Sequence, residues 1–208
     1  MAGDRHRATA SGALTLNDQS AEIRTVPITR DLLEPCWQLR LRALKDHPEA
    51  FGQPYDEAAA LTPAEIQQSF DTFWTFEGNQ VFVALAADGS VVGMTGVAGW
   101  NRARMRHRMD IWGVYVAPEY RGQGIADRLL DAAISHARGI EGVLQLHLQV
   151  VSSNLAALRS YERAGFARWG RMPRADIIDG QALDNDFMVL MLDATGDGME
   201  TNPEGTMS

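Results

Sequence analysis

A chain of 208 residues, with 45% hydrophobic and 22% charged residues, has the composition of one ordinary globular domain. Its net charge of −8 argues against a nucleic-acid-binding protein, because such proteins carry a basic surface. Its one cysteine, Cys36, excludes an internal disulfide and fits a reducing compartment, so a cytoplasmic location is predicted. No apolar run approaches the roughly 18 residues of a membrane span, so no membrane association is predicted.

The two ends of the chain differ in composition from its middle. Residues 1–20 are small, polar and aperiodic, and they lack the apolar segment of a secretory signal. Residues 194–208 have the same character. Segments of this kind cannot bury enough apolar surface to fold, so we predict disordered tails on either side of one domain at 21–193.

Hydrophobic periodicity and turn signals divide this domain into alternating strands and helices. Thr62 and Glu65 are typical of a helix start with a capping box, and Asp88-Gly89 is typical of a hairpin turn. Strands are predicted at 21–27, 81–87, 90–99, 110–116, 144–151, 167–174 and 186–192, and helices after Thr29, after Thr62, at 122–138 and at 155–166.

The order of these elements predicts an α/β domain. Helix 122–138 connects strands 110–116 and 144–151, so these two strands should lie parallel in one sheet. The whole sheet is predicted to be mixed and largely antiparallel, with helices on its faces. Residues 48–61 are predicted to form an ordered loop, which either lines a site or packs over the sheet as a lid.

The stretch from Val116 to Ala126 joins a buried strand to a glycine-rich turn at a helix start. Glycine lets the backbone approach a ligand closely, and a helix start offers unpaired N–H groups and a positive dipole end. Arg121 adds a permanent charge, so the turn is predicted to bind phosphate. A P-loop would need Lys and Ser or Thr where Ile125 and Ala126 stand, and a dinucleotide fingerprint would need a small residue at Asp127. A turn that needs glycine only for steric reasons is the alternative.

A second pattern lies in the last predicted helix. Asn154 and Tyr161 are seven residues apart, which is two helical turns, so both side chains project from one face. Gly165 and Phe166 close the pattern N-x-x-A-x-x-x-Y-x-x-x-G-F. A tyrosine that only fills the core is the alternative, and on its own the second pattern favours that alternative.

Together the two patterns resemble the motifs of the GNAT superfamily of acyl-CoA-dependent N-acyltransferases. V-x-P-x-x-R-G-x-G-x-A, from Val116 to Ala126, is similar to the superfamily's loop for the acyl-CoA pyrophosphate. The pattern at 154–166 is similar to its second motif, whose Asn contacts the pantetheine arm or orients the reacting centre. The resemblance implies a GNAT-like sheet of six to seven strands, with central parallel strands splayed around the pantetheine arm. The residues implied for cofactor binding are Val114, Tyr115, Val116, Arg121, Gly122, Gln123, Gly124, Ile125, Ala126 and Asn154.

The resemblance also implies an activity for the domain at 21–193. It would be an N-acetyltransferase that transfers the acetyl group of acetyl-CoA to a primary amine of a small molecule or peptide by direct attack. Tyr161 is the implied general acid for the leaving thiolate. Asp110, a water relay from backbone carbonyls and His107 all stay open as the base. By the alternation of a strand, Asp110 should share a face with Trp112 and Val114.

The remaining predictions concern other ligands and partners. No metal-ligand spacing is present, so no metal is predicted. His147, on the polar face of strand 144–151, is predicted to be hydrogen-bonded rather than catalytic. A homodimer is left open. The alternative from another functional class is a non-catalytic acyl-CoA-binding sensor or partner module, which would not require the hydroxyl of Tyr161.

Overall fold

One seven-stranded sheet, flanked by helices on both faces, forms the centre of the protein. The computed structural model describes residues 23–178 and 180–192, and the tails predicted at 1–20 and 194–208 lie outside the described residues. The strands are β1 (Arg24–Pro27), β2 (Gln80–Leu85), β3 (Val91–Gly99), β4 (Arg108–Val116), β5 (Gln145–Val151), β6 (Ala167–Ile178) and β7 (Gln181–Met191). The helices are α1 (Leu33–Asp46), α2 (Tyr55–Ala59), α3 (Pro63–Trp74), α4 (Ile125–Arg138) and α5 (Leu155–Arg163).

The strand order is β1-β2-β3-β4-β5-β7-β6, which confirms the predicted mixed and largely antiparallel sheet. β4 and β5 pair in parallel, with α4 as the crossover between them. The other neighbouring strands in the described part of the chain pair antiparallel. None of the helices in this part of the chain combines the length and the apolar composition that crossing a membrane requires.

Local signals in the sequence account for most helix boundaries. The capping box of α3 is present as predicted, with the Glu65 N–H donating to Thr62 Oγ1 and the Thr62 N–H donating to Glu65 Oε2 at 2.8 Å. α4 begins at Ile125 rather than at 122, because Gly122 and Gly124 have φ angles of 77° and 69°. Those angles belong to the left-handed region, which a right-handed helix does not accept.

Other boundaries depend on contacts that the sequence does not display. The predicted loop at 48–61 contains the short helix α2. β6 and β7 are longer than the predicted 167–174 and 186–192, because their inner ends pair with each other as an exposed hairpin. An exposed hairpin needs no hydrophobic alternation to satisfy its backbone, so periodicity did not reveal it.

Each face of the sheet carries its own hydrophobic core. α4 and α5 cover one face, where Leu129 and Leu130 are fully buried and Tyr161 belongs to the same cluster. α1 covers the other face, where Leu39 and Ala43 are buried. Because packed side chains occupy both faces, space for a ligand within the sheet arises where neighbouring strands separate.

β4 contains a β-bulge in its middle. The register between β3 and β4 shifts, so that Gly96 faces Trp112 but Met94 faces Tyr115. Gly113 lies within the bulge and has a φ of 65°, a left-handed conformation that glycine adopts without steric cost.

The bulge reverses the alternation of side chains along β4. Trp112 packs against the core on the α1 face, whereas Val114 packs against the core on the α4 face. The prediction that Asp110, Trp112 and Val114 share a face is therefore wrong for Val114. The extra residue at Gly113 shifts the period-2 pattern by one, and that shift has no signal in the hydrophobic pattern.

β4 and β5 separate soon after they begin to pair. Their parallel register covers Arg108 to Asp110 of β4, and it ends where Asp110 faces His147. β4 continues to Val116 and β5 to Val151 without further pairs in the described register. This is the predicted splay of the two central strands, and it leaves one backbone edge of the second half of β4 unpaired by β5.

A substitution at Gly96 tests how Trp112 packs against β3. A Cβ on Gly96 would overlap the indole of Trp112, so Gly96→Ala should lower the free energy of unfolding by about 1–3 kcal/mol through overpacking. Urea denaturation followed by circular dichroism measures the change. Gly52→Ala is the matched control, because nothing lies within 4 Å of an added Cβ there. Equal stability of the two variants would contradict this packing of Trp112.

Candidate active site

A cavity of about 510 Å³ lies where the separated half of β4 meets α5 and the start of α4. Its volume falls within the range of about 300–1,000 Å³ that is usual for small-ligand sites. Every predicted site residue except Asp110 and Gln123 lines this cavity: Val114, Tyr115, Val116, Arg121, Gly122, Gly124, Ile125, Ala126, Asn154 and Tyr161.

The glycine-rich turn forms one wall of the cavity. Gly122 and Gly124 both adopt positive φ angles, and Gly124 is the N-cap residue of α4. Nothing lies within 4 Å of a Cβ added to either glycine, so the backbone on this side faces open space. The first turn of α4 therefore presents its unpaired N–H groups and the positive end of its dipole to a ligand. The turn suits a phosphate group.

Arg121 is held at the edge of the cavity by three contacts. Its Nε donates to the carbonyl oxygen of Val116 at 3.0 Å, and its guanidinium carbon lies 5.7 Å from the ring centroid of Tyr115. Its Nη2 lies 3.0 Å from Nε2 of His47. A guanidinium only donates, so His47 Nε2 is the acceptor in this contact. The other ring nitrogen, Nδ1, faces Glu49 Oε1 at 3.2 Å. These contacts orient the positive charge before any ligand arrives.

The segment after α1 forms another wall of the cavity. His47, Ala50 and Phe51 line it, and the rings of His47 and Phe51 contact Tyr115 at centroid distances of 6.2 Å and 6.5 Å. The loop predicted at 48–61 was expected either to line a site or to pack over the sheet as a lid. Its first residues line the cavity. Sequence reasoning did not assign them individually, because no local motif marks them.

Tyr161 is buried at the wall that α5 contributes. Its side chain is 9% exposed and packs against Phe166. Burial raises the pKa of the Tyr161 phenol to about 12. A phenol with this pKa stays protonated across the neutral range, so its hydroxyl can donate a hydrogen bond into the cavity at physiological pH.

Asn154 combines a structural contact with its place in the cavity wall. Its Oδ1 accepts a hydrogen bond from the N–H of Ala157 at 3.1 Å, which caps α5. The cap occupies the oxygen of the side-chain amide and turns the Nδ2 donor toward other partners. A ligand contact from Asn154 would therefore come from Nδ2.

Asp110 lies outside the cavity, at the point where β4 and β5 separate. Burial raises the pKa of its carboxyl, while a hydrogen bond with Trp100 and the charge of Arg108 act in the opposite direction. Its register partner His147 has a lowered pKa, because burial and the charges of Arg108 and His107 disfavour the imidazolium. The structure does not bring Asp110 together with Tyr161, and a proton would have to pass between them through other groups.

Two further predictions concern Gln123 and His147. Gln123 belongs to the glycine-rich turn but does not line the cavity, and its Oε1 is buried with no hydrogen-bond partner in the described structure. His147 Nε2 lies 2.9 Å from Gln145 Oε1, as expected for a hydrogen-bonded histidine. Within residues 23–178 and 180–192, His, Cys, Asp and Glu side chains form no group of three that could hold a metal.

The fold and the cavity together have the form of an acyl-CoA-dependent acetyltransferase. The model of the acetyltransferase (GNAT) family matches residues 36–166, and the chain belongs to this family. The match includes both sequence patterns and the strands β2 to β5.

Curated relatives share about a third of their residues with the chain. It is 33% identical over 142 residues to the L-methionine sulfoximine/L-methionine sulfone acetyltransferase of Pseudomonas aeruginosa, which covers 64% of this chain and 78% of the relative. It is 31% identical over 152 residues to the mycothiol acetyltransferase of Nocardiopsis dassonvillei, which covers 71% of this chain and 43% of the relative.

Solved structures show the same fold. A GNAT superfamily phosphinothricin acetyltransferase from Sinorhizobium meliloti, in complex with acetyl-CoA, superposes with a TM-score of 0.73 at 22% identity. The superposition covers 88% of this chain and 94% of that protein. The predicted family, fold and enzyme class are confirmed, and acetyl-CoA is the acyl donor of the family. The roles of individual residues stay predictions.

The cap at Asn154 can be separated from any ligand contact. Asn154→Ala should lower the free energy of unfolding by about 1 kcal/mol, because an N-cap side chain contributes roughly that much. Asn154→Asp retains an oxygen that can cap α5 and removes the Nδ2 donor, so it should retain the stability. Chemical denaturation measures both variants. If Asn154→Ala were as stable as the wild type, the capping contact would have no energetic role.

Proposed function

We propose that the protein transfers the acetyl group of acetyl-CoA to a primary amine of a small molecule or peptide by direct attack of the amine on the thioester. The observation that carries the proposal is the shared cavity. A phosphate-type turn at Gly122 and Gly124, an unpaired strand edge at Val114 to Val116 and the hydroxyl-bearing Tyr161 all border one volume. Family membership supports the same chemistry.

The residues present fit acetyl-CoA as the donor. Open space beside Gly122 and Gly124 gives a pyrophosphate direct access to the first amides of α4. Arg121 lies at the same end and supplies a positive charge. The backbone of Val114 to Val116, which β5 leaves unpaired, can pair with the amide groups of the pantetheine arm.

Three tasks fall to the chain once the donor supplies a thioester. The attacking ammonium must lose a proton, the carbonyl oxygen that gains negative charge needs a donor, and the leaving sulfur needs a proton. In our proposal the N–H of Val114, the residue after the bulge, donates a hydrogen bond to the carbonyl oxygen. The hydroxyl of Tyr161 donates a proton to the leaving sulfur.

The protons balance in this scheme. A C–N bond forms and the C–S bond breaks, and one proton moves in net terms from the amine nitrogen to the sulfur. Tyr161 donates its proton to the sulfur, and the resulting phenolate recovers a proton that comes from the nitrogen. The raised pKa of Tyr161, about 12, makes the phenolate a strong base, so its recovery of a proton is favourable. The same shift makes the phenol a weaker acid toward the thiolate, so the donation and the recovery have to be coupled.

The first deprotonation of the acceptor remains assigned to Asp110 or to a water relay. Burial raises the pKa of Asp110, which makes its carboxylate more basic than an ordinary one. Asp110 does not line the cavity, so its action on the amine would itself require water as an intermediary. The two routes therefore differ only in where the relay ends, and His107 is the third candidate.

The names of relatives support a small acceptor. By their names, the Pseudomonas enzyme acetylates L-methionine sulfoximine and L-methionine sulfone, and the Nocardiopsis enzyme is a mycothiol acetyltransferase. We carry over from them only the class of small amine-bearing molecules. The cytoplasmic location and the homodimer stay predictions.

An acetyl-CoA turnover screen tests the function directly. Free CoA is followed with a thiol reagent while amino acids, polyamines, aminoglycosides and peptides with a free N-terminus are offered as acceptors. Turnover with a primary amine, and mass-spectrometric detection of its N-acetyl product, are the expected results. Tight CoA binding without turnover of any acceptor would instead support the non-catalytic acyl-CoA-binding module.

Gly124→Val tests the donor site. A Cβ there enters the space assigned to the pyrophosphate, so CoA affinity should fall at least about 100-fold, equivalent to two lost charge-assisted hydrogen bonds. Isothermal titration calorimetry measures it. Gly89→Val is the matched control, because Gly89 has a comparable φ of 84°, also with nothing within 4 Å, and lies outside the cavity wall. Normal CoA affinity of a folded Gly124→Val protein would place the pyrophosphate elsewhere.

Tyr161→Phe tests the general acid. The change keeps the ring and its packing and removes the hydroxyl, so kcat should fall about 10²- to 10⁴-fold, as is typical when general acid catalysis is lost. CoA affinity should stay nearly unchanged. The wild-type rate should show no decline from ionisation of Tyr161 as the pH rises toward 10, because the raised pKa keeps the phenol protonated. Wild-type kcat in the Phe variant would make Tyr161 a packing residue.

A further inference from the structure

Arg40 is a partly buried arginine in the middle of α1 that the reaction described so far does not use. Its guanidinium carbon lies 5.8 Å from the ring centroid of Trp37 and 5.8 Å from that of Trp112. The two indoles come from different elements, α1 and β4, and both contact the guanidinium. Such contacts fix the orientation of a planar cation while leaving its N–H donors available.

The side-chain hydrogen bond that Arg40 makes is to a neutral group. Its Nη2 donates to Gln53 Oε1 at 2.9 Å, which is a neutral acceptor. Among the described residues Arg40 forms no ion pair with a carboxylate. Other arginines do so at 2.6 to 3.1 Å, namely Arg30, Arg42, Arg163, Arg168 and Arg171.

The surroundings of Arg40 disfavour its charge. Burial lowers the pKa of the guanidinium, and among the described residues the thiolate form of Cys36 acts in the opposite direction. The pKa of Cys36 is about 12, so that thiol is neutral at physiological pH. A partly buried cation that pairs with no carboxylate is incompletely compensated, and an incoming anion would stabilise it.

Arg40 lies beside the proposed reaction centre. Its Nη1 is 4.0 Å from the position that a Cβ on Gly113 would occupy. Gly113 is the bulge residue, and the next residue, Val114, carries the N–H assigned to the carbonyl oxygen. A void of about 20 Å³, lined by Arg40, Thr95 and Gly113 among others, adjoins this point and has room for about one water molecule. Arg40 does not line the 510 Å³ cavity itself, so the guanidinium lies on the α1 side of the bulge, next to Gly113 and one residue away from the N–H assigned to the carbonyl oxygen.

We propose that Arg40 binds the carboxylate of the acceptor, and that the acceptor is an α-amino acid or a close analogue with its primary amine next to a carboxylate. The inference rests on the proposed function. An α-amino acid carries both groups on one carbon, so a carboxylate held at Arg40 brings the amine toward the bulge. The fork of the guanidinium matches a carboxylate in two parallel hydrogen bonds, and the neutral Gln53 is readily displaced by the stronger, charged acceptor.

A matched pair of acceptors tests the proposal. The twenty common L-amino acids, together with L-methionine sulfone, are compared one by one with their α-carboxamides, which keep the amine and the side chain and remove the negative charge. For the best amino acid, the wild-type kcat/KM should exceed that of its carboxamide about 10- to 100-fold, as expected for loss of a charge-assisted contact.

Variants of Arg40 assign that preference to the guanidinium. Arg40→Gln should lower kcat/KM for the acid about 10- to 100-fold while leaving the carboxamide nearly unchanged, so the preference disappears. Arg40→Lys should restore part of it, since the charge returns without the fork. Arg30→Gln removes an exposed arginine that pairs with Asp71, and it should behave as the wild type. CoA affinity and thermal unfolding of each variant show whether the fold persists.

The outcomes separate the two levels of proposal. If the wild type acetylates no amine at all, the proposed function fails. If it acetylates amines but accepts carboxamides as well as acids, or no amino acid, the role of Arg40 is overturned and the proposed function stands. If Arg40→Gln folds and loses activity equally with both acceptors, Arg40 is a structural cation between two indoles. The wild-type comparison alone decides the acceptor class should the variant not fold.

Discussion

The bulge at Gly113 determines what each face of β4 can do. One extra residue, Gly113, has the left-handed conformation that glycine adopts without steric cost. It turns Trp112 toward α1 and Val114 toward α4. Without it, a regular strand would place both side chains on the same face. The bulge thus lets one strand serve two neighbouring sites, with the cavity bordered by Val114 to Val116 on one side and the Arg40 region on the other.

The separation of β4 from β5 supplies the other half of the geometry. Pairing with β5 ends at Asp110 and His147, so the second half of β4 keeps an edge of backbone groups that β5 does not satisfy. Buried backbone groups require partners, and an extended ligand with amide groups provides them. The start of α4 lies at the far end of the same cavity, where it offers N–H groups to an anion. A ligand with a phosphate end and an amide-bearing arm fits both demands at once.

Features that depend on residues close together in the chain can be predicted from the sequence, whereas features that depend on contacts between distant residues cannot. The helix start at Thr62, the left-handed glycines and the parallel pair around α4 all follow from residues close to one another in the chain, and the structure contains them. The register shift at Gly113 does not, because it is fixed by packing between β3, β4 and α1. Regular alternation therefore predicts the wrong face for Val114. No local pattern marks Phe51 as part of the cavity wall either, because its position depends on contact with the ring of Tyr115, which is distant in the chain.

The binding sites of the two substrates differ in the same way in how well the sequence predicts them. The donor would be bound largely by backbone groups, and a backbone site needs glycines and a helix start at fixed spacing, which any sequence with that site must show. The acceptor would be bound by side chains from distant elements, as with Arg40 of α1 and Trp112 of β4, which are 72 positions apart in the chain but whose guanidinium and ring lie 5.8 Å apart. No short pattern encodes such a pair. The family and the acyl donor can therefore be predicted from the sequence. The acceptor depends on a few side chains that only the fold brings together, so it cannot be predicted from the sequence alone.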